Sequence, residues 1–213
     1  MDIALIGIIA ITCLFSYQGF QDISFFRKYE FHIGSIRSGE HYRMFTSALL
    51  HADLPHLVFN MLTLYFFAPV VTEYLGMWIF LLIYMASLLF GSMLTLLIHK
   101  DEYSYRAIGA SGAVTGILYS AILLQPDMPI YLFFIPIGIP AFIFGIVYLL
   151  YSIYGMKSRR DNIGHTAHFG GAVGGYALTL AYHPIIFSEH LLIVIVLAIP
   201  IVILFIMERR GKL

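Results

Sequence analysis

Seven stretches of about 20 mostly apolar residues follow one another along this chain, at approximately 2–19, 55–74, 77–98, 108–124, 129–153, 165–183 and 188–207. A helix takes about 20 such residues to cross a hydrocarbon core of roughly 30 Å. The chain is therefore expected to be all-α, a polytopic bundle of membrane helices. Its composition agrees: 11% of the 213 residues are charged and 60% hydrophobic, whereas a soluble domain carries roughly 25% charged residues. The fourth and sixth stretches are the most polar and hold Ser111, His165 and His168. Polar groups are costly in hydrocarbon, so function is to be sought there.

Several function classes drop out. Formal net charge is +0 and there is no basic run, so nucleic-acid binding has no support. Cys13 is the only cysteine, which excludes an internal disulfide and a cysteine metal cluster and leaves it a packing role in the first helix. That helix opens with Asp2 and lacks a basic n-region and a small-x-small cleavage site, so it reads as retained rather than as a secretion signal. No repeat, low-complexity tract or domain boundary interrupts residues 1–213, which form one membrane domain. The long connection 20–54 includes "FFRKYEFHIGSIRSGEHYRMF". Aromatic rings interleaved with Arg27, Lys28, Arg37 and Arg43 suit the membrane interface better than open water. Pro126, Pro129, Pro136 and Pro140 crowd the turn before the fifth helix and its first part, which is expected to be irregular.

Gly112 and Gly116 in the fourth segment, and Gly171 and Gly175 in the sixth, repeat at four-residue spacing. Small-xxx-small patterns let two helices approach closely in lipid, so these two are expected to be neighbours. His168 shares a stripe with Gly171 and Gly175, which sets it against Ser111. A serine beside a histidine has a general base to take its proton. Acyl-transfer chemistry also needs donors for the developing oxyanion. Asp53 caps a helix with Pro55 in its first turn, His56 and Asn60 then share a face, and these two with the Ser111 N–H could supply the donors. His51 precedes that helix and is not expected on the face. No acidic residue lies within the fourth or sixth segment, so the arrangement is a Ser/His dyad unless Asp161 folds back from the preceding loop.

Each residue also has a plainer reading. Ser111 alone can be helix packing and Asn60 alone a helix–helix hydrogen bond. Arg43 suits tying loop carbonyls together, because guanidinium does not deprotonate. His51, His56, His165 and His168 could suggest a metal, but H-E-x-x-H is absent and no carboxylate accompanies the last two in their helix. No metal or cofactor is expected.

At this point the sequence resembles the rhomboid intramembrane serine proteases, from Glu40 to about Tyr182. The resemblance is carried by G-A-S-G at 109–112, A-H-F-G-G at 167–171, and the H-x-x-x-x-H-x-x-x-N spacing of His51, His56 and Asn60. Glu40-His41-Tyr42-Arg43 is similar to the family's E-x-W-R loop, with Tyr42 in place of tryptophan. The resemblance implies a six-helix core over 1–184 and an added C-terminal seventh helix with its tail over 185–213. It implies Ser111 as nucleophile and His168 as base and acid, His165 being the secondary choice for the base, with His56, Asn60 and the Ser111 N–H as oxyanion hole. Gly109, Gly112, Gly171, Gly175, Arg43 and Glu40 would support the site. The long loop would be a membrane-embedded hairpin, and the fifth helix with residues 154–163 would gate access. Thr115 stands where some members place an aromatic ring against the histidine. The implied substrate is the transmembrane segment of a single-pass protein, and the implied location a bacterial cell membrane. Two rivals stand beside this reading: a non-proteolytic rhomboid-like protein that binds membrane clients, and a transporter using its histidines as a proton path.

With seven crossings, all twelve Lys and Arg fall on one face. The positive-inside rule makes that face cytoplasmic, whereas the resemblance points the other way because Ser111 lies near it. The site is expected at the basic face, and the absolute orientation stays open.

Overall fold

Apolar runs become helices here, and their ends fall where the sequence offers a cap or a breaker. The computed structural model describes residues 3–131, 137–158 and 164–210. Helix α1 (Ile3–Gln21) is followed by α2 (Ile23–Tyr29), whose first N–H groups are capped by Asp22, Oδ1 accepting from Ser24 at 2.8 Å and Phe25 at 3.2 Å. The rest of the long connection holds strand β1 (Phe31–His32), helices α3 (Ile33–Arg37) and α4 (Arg43–Thr46), and a single 3₁₀ turn, Ser47–Leu49. Helix α5 (Leu54–Leu75) starts at its Asp53 cap and stops at Gly76, where φ is 81°. Next come α6 (Met77–Ile98), strand β2 (Arg106–Ala107) and α7 (Ser111–Leu124). Strands β3 (Pro129–Ile130) and β4 (Ile139–Pro140) precede α8 (Ala141–Ser158), α9 (His165–Tyr182), α10 (Ile186–Glu189) and α11 (Leu191–Arg209).

The molecule is thus an all-α membrane bundle with short strands only in its connections. Helices α1, α5, α6 and α8 are long and apolar enough to cross a membrane, while α7 and residues 191–207 of α11 are shorter apolar helices. Large hydrophobic side chains such as Phe66, Trp78 and Leu192 stand well exposed on the outer helix faces, where a bilayer would cover them.

Two expectations need correction. The fifth apolar stretch, 129–153, is helical only from Ala141, because β3 and β4 form a small antiparallel hairpin with Pro129 opposite Pro140. Proline lacks the N–H a helix interior needs, so the chain turns here before it can coil; Pro136 lies outside the described residues. The long connection is not a simple hairpin. Its short helices are held to the segment before α7 by β1 pairing with β2, Phe31 opposite Ala107 and His32 opposite Arg106.

Helix α7 is the hub, with every residue from Gly112 to Leu124 buried. Its 14 residues make it about 21 Å long at 1.5 Å per residue, shorter than a hydrocarbon core of roughly 30 Å. α9 packs against both α6 and α7. The α7–α9 contact pairs Gly112 with Gly171 and Gly116 with Gly175, where an added Cβ would run into the facing carbonyl. α11 packs on α8 through a buried stripe of Val194, Leu197, Ile201 and Leu204. Tyr176 on α9 donates to the Val194 carbonyl at 2.8 Å.

Candidate active site

A loop must turn sharply to launch α7 from within the protein, and glycine does so here. Gly109 has φ 115°, in the region that disfavours side chains. An added Cβ would lie 2.9 Å from Cε1 and Nε2 of His56 and 3.6 Å from Oγ of Ser111. The missing side chain therefore lets the His56 ring approach the serine. Two bonds hold the turn, from the Gly109 N–H to the Ser47 carbonyl at 3.0 Å and from the Ala110 N–H to His51 Nε2 at 3.4 Å. Ser111, half-buried, is the first residue of α7, where the N–H groups have no partner within the helix.

His56 and Asn60 occupy successive turns of α5. Asp53 accepts from the His56 N–H at 2.8 Å, and the Asn60 amide donates to the His56 carbonyl at 2.9 Å. His56 Nδ1 accepts a long bond from the Ala52 N–H, 3.5 Å. In a neutral imidazole this puts the proton on Nε2, on the ring edge that faces Gly109. Asn60 and Ser111 both border a cavity of about 170 Å³ whose wall includes Phe59, Thr115 and Tyr148. Beside it lies an apolar cleft of about 630 Å³ between α5 and α8, and Phe59, Thr63, Leu118 and Phe144 border both spaces.

His51 is wholly buried beside His56, their ring centroids 4.8 Å apart. Ser16 on α1 donates to the Leu49 carbonyl at 2.8 Å, so its oxygen accepts from His51 Nδ1 at 2.9 Å. Nε2 is then left with the lone pair that receives the Ala110 N–H. Burial, with His56 close by and Asp53 opposing, pushes the His51 pKa down to about 3. His51, which precedes α5, sets its ring against that of His56 and is a neutral wedge joining α1 to the turn before Ser111.

His168 is 9% exposed on α9. Its ring stacks on Tyr148 of α8, centroids 5.9 Å apart at 23°, with Nδ1 2.9 Å from the tyrosine hydroxyl. Thr115 donates to the Ser111 carbonyl at 2.7 Å and lies 3.3 Å from the same hydroxyl. These contacts join the main chain of Ser111 to the ring of His168. His165 turns toward α8, edge-on to Tyr151 and against Gly155. Asp161 and residues 159–163 of the expected gating loop lie outside the described residues. Among the described residues no group of three or more His, Cys, Asp or Glu side chains could hold a metal ion.

Arg43 and Glu40 stand apart from this cluster. Arg43 is buried and bonds to Glu40, to the Arg27 carbonyl at 2.8 Å and to the Glu30 carbonyl at 3.1 Å. Glu30, also buried, pairs with Arg27 and Arg106. Three of the basic side chains are therefore tied into the protein, which weakens them as markers of the cytoplasmic face. Tyr42, in the tryptophan position, donates to the Lys28 carbonyl at 3.3 Å.

Sequence reasoning missed Tyr148. The available signal was Thr115, which leaves the aromatic place against the histidine empty, but nothing in the sequence says which of 15 tyrosines fills it.

The family model described as Rhomboid domain matches residues 38–185. The chain is 34% identical over 156 residues to "RHOMBOID-like protein 12, mitochondrial" of Arabidopsis thaliana, an alignment covering 66% of this chain and 46% of that protein. It is 32% identical over 149 residues to "Putative rhomboid protease YdcA" of Bacillus subtilis, covering 68% of each. "Rhomboid protease GluP", also of Bacillus subtilis, is 33% identical over 141 residues, covering 66% of this chain and 26% of that protein. The chain thus matches just under half the length of the plant relative and about a quarter of the last.

Proposed function

This chain belongs to the rhomboid family, and on that premise we propose that it is an intramembrane serine endopeptidase that cuts transmembrane segments of single-pass proteins through an acyl-enzyme. The observation that carries the proposal is the position of Ser111. It opens α7 on the wall of a cavity that adjoins an apolar cleft, with the edge of His56 and the side chain of Asn60 beside it.

His168 Nε2 takes the Ser111 proton as Oγ attacks the scissile carbonyl. The oxygen that becomes negative receives hydrogen bonds from His56 Nε2, the Asn60 amide and the Ser111 N–H. His168 then passes its proton to the leaving amine, and in the second half activates the water that releases the acyl group. A helical substrate hides its carbonyls, so it must unwind, and the cleft between α5 and α8 gives an apolar side chain somewhere to stay while it does. The relatives come from bacteria and from mitochondria, and a bacterial cell membrane is the location proposed for this integral membrane protein.

The test compares wild type, Ser111→Ala and His168→Ala in liposomes, for labelling by a fluorophosphonate and cleavage of a model transmembrane substrate. Labelling and cleavage in wild type, both lost in the variants, are expected. Folded wild type that neither labels nor cleaves would refute the proposal and favour a client-binding protein.

A further inference from the structure

A histidine can serve as base toward a serine through one nitrogen only if the proton of the neutral ring sits on the other. The contacts around His168 point to where that proton sits, by a count of donors starting from a group that has none. The Ser111 carbonyl can only accept, so the 2.7 Å bond from Thr115 uses the single hydroxyl proton of the threonine. The 3.3 Å contact between Thr115 and Tyr148 must then be donated by Tyr148. A phenol is neutral at pH 7 and has one proton, which can serve Thr115 or His168 but not both. With that proton on Thr115, the 2.9 Å contact between Tyr148 and His168 Nδ1 is donated by the imidazole.

We propose that Thr115 and Tyr148 form a positioning relay that holds the proton of His168 on Nδ1, leaving Nε2 as the base. This rests on the protease reading above and adds the device that prepares its histidine. No acidic residue lies within α7 or α9 to do this work. The relay also holds through the reaction. When Nε2 accepts the Ser111 proton, the imidazolium keeps its Nδ1–H on the tyrosine oxygen, and no bond in the chain must reverse.

The surroundings keep the relay in register. Tyr148 stacks with the His168 ring and also with Phe144, at 5.9 Å and 18°. One turn earlier on α8, the Gly145 carbonyl accepts from the buried hydroxyl of Tyr119 on α7. A Cβ at Gly145 would meet Ile122 at 3.0 Å and Leu197 of α11 at 3.3 Å. α8 is therefore seated against α7 and α11 at the level where its tyrosine must meet the histidine.

The test reads the proton directly. Wild type labelled with ¹⁵N-histidine, the His168 signals assigned by their loss in His168→Gln, is expected to carry the proton on Nδ1 at neutral pH. Thr115→Val frees the tyrosine proton to point at Nδ1, so the other tautomer should appear. Turnover should then fall about tenfold or more with KM changed less than about twofold, a fraction of what a general base supplies. Tyr148→Phe keeps the stacked ring and removes only the acceptor, and should lose turnover likewise; Thr115→Ser restores the hydroxyl and should recover both tautomer and rate. A wild-type His168 protonated on Nε2, or a Thr115→Val protein unchanged in tautomer and turnover, would overturn the relay. Cleavage through Ser111 with the proton on Nε2 refutes the relay alone. The Nδ1 proton in a protein that never labels or cleaves refutes the protease reading and leaves the relay standing.

Discussion

Replacing His51 by Gln should remove much of the acid sensitivity of the fold. His51 is completely buried, and both its nitrogens are used, one donating to Ser16 and the other accepting from Ala110. Protonation would destroy the acceptor and place a charge beside His56. The folded pKa, about 3, is below the roughly 6.5 of an unfolded histidine. Between those values the unfolded chain binds the extra proton, so stability rises with pH and is lost as pH falls through 6.5 toward 3. At pH 4.5, about two units below the unfolded value, the loss is about 3 kcal/mol at 1.36 kcal/mol per unit. For a chain of this size that is roughly 6–12 °C in melting temperature. Thermal unfolding of wild type and His51→Gln in the same detergent, at pH 7.5 and 4.5, measures it. The glutamine variant should start less stable and fall by correspondingly less. Equal acid shifts in the two proteins would refute the argument that His51 is held neutral.

Two further outcomes are expected. Asn60→Ala should cut turnover by on the order of a hundredfold, the cost of one oxyanion donor, while the melting temperature changes little; unchanged turnover removes Asn60 from the oxyanion hole. Arg43→Ala strands the buried carbonyl of Glu30 and frees that of Arg27 and should cost about 1–3 kcal/mol, read as a lower melting temperature, while a normal melting curve contradicts the tie.

Much of the site was legible because its residues announce themselves locally. The Asp53 cap and Pro55 mark the start of α5, and helical spacing then sets His56 and Asn60 on successive turns. The glycine stripes of α7 and α9 name each other as partners, since carbonyls of the facing helix occupy the space their side chains would take. The fifth segment misled because its apolar composition continues through residues whose prolines force a hairpin instead.

The sequence by itself determined that this is a membrane helix bundle, roughly where its helices run, and which few polar residues must be accounted for inside it. Only the tertiary structure decided that α8 brings Tyr148 to His168 and that α1 brings Ser16 to His51. The reason is physical. A soluble helix shows its buried face by where its apolar residues lie, but a helix in lipid is apolar all round. Association then depends on close packing and on single hydrogen bonds, whose partners are far apart in the chain and leave no periodic trace.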